Sequence, residues 1–526
     1  MKDIIQRMWP RRWFKVCVWV IGAICLIVPP LMTGLLIRLA IRSSGSGRWA
    51  AVQEMLAREG ESIDIRKIAP DPVPDDRNFF AIPALKDLAI SPVGDDDTND
   101  LTRNRLRLVH TFPQHYNSNA GPRPNAMQGV DFGKETHFKP WVDWMREDGP
   151  LPPPESGDPA MDVLAALSRN DTIVRELALG LNRPESQWTP AWKTRVLPEN
   201  LFTVAVPQYM VTQALTPMLW LRCAAAASVG DAAKAQESLL IAVRLNQAYV
   251  REPILIGTLV LCGSVSFIDE GVWELCDTHS GTAEDFRKLQ EGLSKLDFRA
   301  ALLCAERGEM AGGAEFMDYF KRTRDPNFFE LVETGTDDPA MRTVMRLIPG
   351  GWFDANEATL AKWHFDYEIK PLRDAGLMAM LARQDDLQAL LTDHRSHPYE
   401  HLDELLAQIS LPATRGVVHR VVYAQSILNE AVAACALERY RIEHGAYPET
   451  LAAANHPGEK SIPADIISGK PIGYRKTAHG QYALWCVGFT GIDHGGKRVL
   501  DPKTPESTRF SDPAYAGDWV WDFPPG

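Results

Sequence analysis

The chain has 526 residues, 45% of them hydrophobic and 24% charged, with a net charge of −12. That length suits about three to four cores of roughly 150 residues each, and the composition is that of a folded chain, not a disordered or fibrous one. An acidic chain with no dense basic tract beyond its first residues lacks the clustered footprint that phosphate binding needs, which argues against nucleic acid as a partner.

The first predicted element is a membrane anchor. Val16 to Ile37 carries no charge, and as a helix it would be about 33 Å long, enough to cross a hydrocarbon core. Lys2, Arg7, Arg11, Arg12 and Lys15 precede it, while Arg38, Arg42 and Arg48 follow. The basic excess at the N-terminal side favours an N-inside orientation and places the rest of the chain outside the cytoplasm. Pro29 and Pro30 should kink the span. The alternative is a cleaved signal peptide with Val16–Val28 as its apolar part, but no small-x-small cleavage site follows and the apolar run resumes.

A short flexible exit, "RSSGSG", leads to a helix over Trp49–Glu59 and then to the proline-punctuated "IAPDPVPDDRNFFAIPAL", which is predicted to be extended. Phe79 and Phe80 within it are expected to dock on the main body. Residues 91–154 read as loops. From Pro159 to about Met310 the apolar spacing turns helical. Thr282 and Asp285 form a capping-box pattern there. Gly230-Asp231 followed by Ala235 and Ala242 resembles the turn and second helix of a tetratricopeptide unit, but no copy follows one repeat length later, so a helical-hairpin domain is expected instead of an array. Shorter helices continue to Asp393, and a long one is predicted over 413–444. "KPIGYRK" and "QYALWCV" flank "TAHG", a hairpin signal. The eight cysteines include no CxxC pair and read as small buried hydrophobes.

The expected fold is mainly α, with an N-terminal transmembrane helix, a helical-hairpin ectodomain and a small α+β C-terminal domain. The predicted boundaries are 1–42 for the anchor, 43–158 for a proline- and loop-rich connection, 159–412 for the helical domain and 413–526 for the α+β domain.

At the start of that last domain, "CALERYRIEHGAYPETLAAA" ends a helix on Gly445, a position suited to a left-handed cap. Tyr447 is the expected anchor of the corner, and Pro448 stops the helix. Tyr440, Gly445, Tyr447, Pro448 and Leu451 spell "YxxxxGxYPxxL", and "GKPIGYRK", "LWCVGFTGIDHGG" and "GDWVWDFPP" follow in order. This succession over Val417–Gly526 resembles the C-terminal domain of type II secretion pseudopilins. The chain departs from that family in lacking its cleaved leader and its apolar filament helix; the helix here carries Arg415, His419, Arg420, Glu430, Glu438 and Arg439. The whole layout resembles a group of membrane-anchored envelope proteins from planctomycete and verrucomicrobial bacteria, a likeness that implies no activity. Pseudopilins commonly bind calcium in the acidic loop. In the corresponding stretch, Cys486–Gly496, Thr490 and His494 replace two acids, and only Asp493 and Asp518 remain as calcium ligands implied by the resemblance. Losing two carboxylates weakens such a site, and a glycine-rich hydrogen-bonded turn is the alternative.

Three other clusters carry groups suited to chemistry. "GDDDTND" fails as an EF-hand because Asp100 replaces the glycine and Leu106 the glutamate. His394, His397 and His401 lie beside Asp403 and Glu404, a metal-like grouping that also suits a surface helix start. "AERGEM" places Glu306, Arg307 and Glu309 at the end of an apolar helix, where an Arg–Glu network between helices is expected. No GxSxG, Walker or dinucleotide motif occurs. The expected role is a structural or adaptor protein of the bacterial cell envelope, single-pass, with the membrane and other envelope or secretion proteins as partners and no cofactor beyond the weak calcium site. A groove between helices for an envelope peptide or glycan, or a cryptic hydrolase marked by Glu306 and Arg307 buried with a histidine in a deep pocket, are the alternatives.

Overall fold

The computed structural model describes residues 44–86, 136–147, 154–188, 207–324, 347–397, 401–411, 414–499 and 515–523. The expected anchor at 16–37 and the acidic run at 94–100 lie outside the described residues. The described part is mainly α-helical with one small three-stranded antiparallel sheet. It divides into two compact units. One holds the described residues of Met1–Ile63, Gly313–Trp363 and Leu391–Leu411, and the other those of Asp64–Gly312, His364–Leu390 and Pro412–Gly526.

The larger unit is built on a helical hairpin. Helix α1 (Pro207–Ser228) turns at Gly230, whose φ of +79° only glycine adopts freely, into α2 (Ala232–Asn246). Asp231 caps α2 by accepting from the Lys234 N–H at 3.1 Å. Cys223–Ala226, Ala235 and Ala242 are all buried, and their small side chains let the two helices approach closely. Helix α3 (Leu255–Asp277) packs on both. Among the described residues it is the one helix long and apolar enough to cross a membrane, but 67% of its apolar window is buried inside the protein, so it reads as a core helix. Helix α4 (Ala283–Leu293) starts at the capping box of Thr282 and Asp285 that the sequence predicts.

The C-terminal region joins this same core. Helix α5 (Phe298–Thr323) begins in this unit and ends in the smaller one, which also holds α6 (Gly350–Trp363); α7 (Leu377–Ser396) begins in the larger unit, and α8 (Thr414–His444) packs there against α3 and α4. Strands β1 (Gly473–Lys476), β2 (Tyr482–Cys486) and β3 (Trp519–Asp522) pair in sequence order, with Gly473 opposite Trp485 and Leu484 opposite Trp521. A Cβ at Gly473 would fall 2.1 Å from the Trp485 indole, which fixes glycine there. Trp273 on α3 donates to the Asp522 carbonyl at 3.1 Å and stacks on Phe523. Trp273, Trp521 and Tyr482 are essentially fully buried, and such side chains each stabilise the fold by roughly 2–3 kcal/mol. Phe79 and Phe80, docked from the proline-rich segment, belong to this continuous core, with Phe80 against Trp188.

The corner after α8 takes the expected form. Gly445 has φ +80° and donates to the Arg441 carbonyl at 2.8 Å. Tyr447 is buried, its hydroxyl donates to Glu438, and its ring meets Tyr482 edge-on.

The smaller unit contains a helix over 44–58, the end of α5, α6 and the 391–411 segment. Buried Asn356 accepts from the Leu406 and Ala407 N–H groups at 2.8 and 3.2 Å, satisfying the open end of a short helix. Lys321 and Ser46 both reach Asp354, and Arg48 pairs with Asp403.

Candidate functional site

The most unusual chemistry in the larger unit gathers around Glu306. Its placement starts from a glycine: a Cβ on Gly308 would lie 1.8 Å from the Pro253 carbonyl oxygen, so α5 can press against the 252–255 segment only with glycine there. Glu309 locks the contact by accepting from the Leu255 N–H at 2.8 Å. Glu306, three residues before Glu309 and so on a neighbouring part of the same helix surface, reaches His364.

His364 opens a stretch of π-helix, His364–Ile369, that also carries Glu368. Single π-turns cost hydrogen-bond quality and are found mostly at functional sites. The His364 Nδ1 lies 2.5 Å from Glu368 Oε2 and 3.4 Å from Glu306 Oε2. All three side chains are buried, at 0–1% exposure. Neither Glu306 oxygen, nor the His364 Nδ1, meets hydrogen-bond geometry with a partner among the described residues. The close approaches are ion pairs of His364 with the two carboxylates, and one ligand atom from each residue lies within 4.8 Å of the others.

The electrostatics follow from burial. Burial disfavours the His364 imidazolium, but Glu368 and Glu306 outweigh it and hold His364 up to about 10. Burial, reinforced by the Glu368 charge, pushes Glu306 well above the usual carboxyl range against the pull of His364. Glu309 is also raised by burial, with the Leu255 hydrogen bond opposing.

The sequence singled out Glu306 and Glu309, but it missed His364 and Glu368. Their only signal is the His–Glu spacing of four residues in "WHFDYEI".

The second cluster lies in the smaller unit. His394 and His401 stack at 3.6 Å, and their Nδ1 atoms lie 3.1 and 3.3 Å from the same Glu404 oxygen. Asp393 is close enough to complete a metal-like group with them, although it is exposed. Burial and the neighbouring His401 lower His394, which favours neutral imidazole. His397 does not join: it is exposed and contacts the Asp393 carbonyl of its own helix.

In the C-terminal loop, the fully buried Asp518 accepts from the N–H groups of His494, Gly496 and Lys497 at 3.0, 2.8 and 3.4 Å through Oδ2. Asp493 accepts from Trp485 Nε1 and the Gly495 N–H at 2.9 and 2.8 Å. Gly491, Gly495 and Gly496 supply the positive φ angles of this turn. The Asp518 Oδ2 is thus engaged by three backbone donors, as in a hydrogen-bonded turn, whereas exposed Asp493 uses only its Oδ1. The six described cysteines are free thiols, four of them buried, as expected of small core residues.

No protein-family model, curated protein or solved structure matches the chain.

Proposed function

We propose that the chain is a membrane-anchored, extracytoplasmic structural or adaptor protein of the cell envelope, docking laterally on other envelope or secretion components. The reading is carried by one observation: helix α8 and the three-stranded sheet, where the sequence resembles pseudopilins, share a continuous apolar core with α3 and α4. Among the described residues, α8 is packed along the body and does not stand free as a filament stalk would. The hydrolase alternative gains Glu306 and His364 in contact, but the trio is fully buried, which disfavours access of a substrate. Crosslinking in intact cells, followed by purification of the full chain from the membrane, tests the proposal. Envelope or secretion proteins held reproducibly on the described surfaces are expected. Regular labelling of sheared surface fibres by an antibody to the tail would instead make it a filament subunit and overturn the proposal.

A further inference from the structure

We propose that Glu306, His364 and Glu368 form a closed, structural binding site for a first-row divalent transition ion, with zinc or manganese as its occupant. The argument rests first on direction. His364 Nδ1 alone faces both carboxylates, as their shared ion-pair partner, and the fully buried Glu306 Oε1 is left without a donor among the described residues. Side chains turned toward a shared point are arranged as ligands. Fully buried oxygens without a donor are also costly, at about 1–3 kcal/mol each, and a cation removes that cost.

Spacing agrees. Zinc bonds to imidazole and carboxylate at about 2.0–2.2 Å, which separates neighbouring ligand atoms in a tetrahedron by about 3.4 Å. The observed 3.4 Å from His364 Nδ1 to Glu306 Oε2 matches this, whereas the 2.5 Å to Glu368 Oε2 must open on loading. The wide π-turn that carries both His364 and Glu368 is where such a small adjustment is easiest.

Charge agrees as well. Two carboxylates with a neutral imidazole carry two negative charges, which one dication neutralises. Imidazole among the ligands selects transition ions over magnesium and calcium, which prefer all-oxygen shells. Because all three side chains are buried, the ion would be enclosed as the chain folds and would couple to stability.

The test uses the full chain in detergent, stripped with chelator and then exposed separately to zinc, manganese, magnesium and calcium. Stoichiometric binding of zinc or manganese with a raised melting temperature is expected, and neither magnesium nor calcium should reproduce it. Glu306→Gln and His364→Gln should each weaken binding by at least about tenfold. A His394→Ala/His401→Ala variant, which removes the other histidine cluster, should bind as the parent does. X-ray absorption of the zinc-loaded parent gives a reading independent of variant folding: a shell of one imidazole nitrogen with carboxylate oxygens is expected. No stoichiometric ion, parent-like binding by the Glu306→Gln/His364→Gln pair, or loss of binding in the His394/His401 variant would overturn the assignment.

Discussion

Gly308→Ala is the substitution that most directly probes how α5 presents Glu306. In an ordinary helix interior, alanine is favoured over glycine by about 1 kcal/mol. Here the added methyl would sit 1.8 Å from the Pro253 carbonyl oxygen, against an ordinary contact beyond 3.4 Å. Helix α5 must therefore retreat by more than an ångström, an overpacking cost of about 1–3 kcal/mol. The retreat also loosens the hydrogen bond from the Leu255 N–H to Glu309, a further loss of about 1 kcal/mol. The clash wins, and a net loss of about 1–3 kcal/mol is expected. Gly263 on α3 is the control, since nothing lies within 4 Å of its Cβ position and it is exposed. Gly263→Ala should stabilise by up to about 1 kcal/mol. Denaturant unfolding of the full chain in detergent, followed by circular dichroism, compares the pair. Equal or greater stability of Gly308→Ala would show that the close approach to Pro253 is not a constraint.

Burial raises the Glu430 carboxyl from 4.5 to about 8 while its Oε1 accepts from the Cys486 N–H. The folded state thus holds a proton that the unfolded chain releases, so this group's contribution to stability falls as pH rises from about 4.5 to 8, by up to about 1.4 kcal/mol per unit. Glu430→Gln should flatten that slope in a pH series of unfolding curves; an unchanged slope would assign the proton elsewhere. Gly445→Val should cost about 1 kcal/mol or more from the backbone alone, because φ is +80° and the Cβ position is open. A midpoint of unfolding identical to the parent's would contradict that. Arg439 makes a bidentate contact with Glu459 and a bond to Gln290 from a buried position. Arg439→Ala should destabilise by about 2 kcal/mol, less than for a fully buried pair, since Glu459 is partly exposed. Added salt should barely change that loss, and a loss that vanished with salt would mark a screened surface pair.

Local signals carried much of the fold. The hairpin turn at Gly230-Asp231, the Thr282 capping box, the long helix ending at His444 and the strand pair around "TAHG" were all legible, because each is specified by residues within a few positions of one another. The docking of Phe79 and Phe80 was legible because paired aromatics in a proline-rich segment have few places to go but the core. The candidate site was half legible. Glu306 and Glu309 stood out as acids on an apolar helix, but the Arg–Glu network expected around them left out the partner of Glu306. That partner, His364, is remote in sequence, and only tertiary packing brings it near. The π-turn was invisible for a similar reason, since its wider hydrogen bonding is imposed by what surrounds it rather than by its own residues. Among the clustered histidines, the sequence gathered His394, His397 and His401 alike, whereas the end of α7 turns His397 away from the other two.

The claim that the chain is anchored with its body outside the cytoplasm is tested most directly by topology. A reporter enzyme active only outside the cytoplasm, fused after Gly526, should be active and should stay with the membrane through an alkaline wash. An inactive fusion, or an active one released as a shortened soluble product, would contradict it: the first would place the body inside the cell, and the second would make Val16–Val28 a cleaved signal peptide.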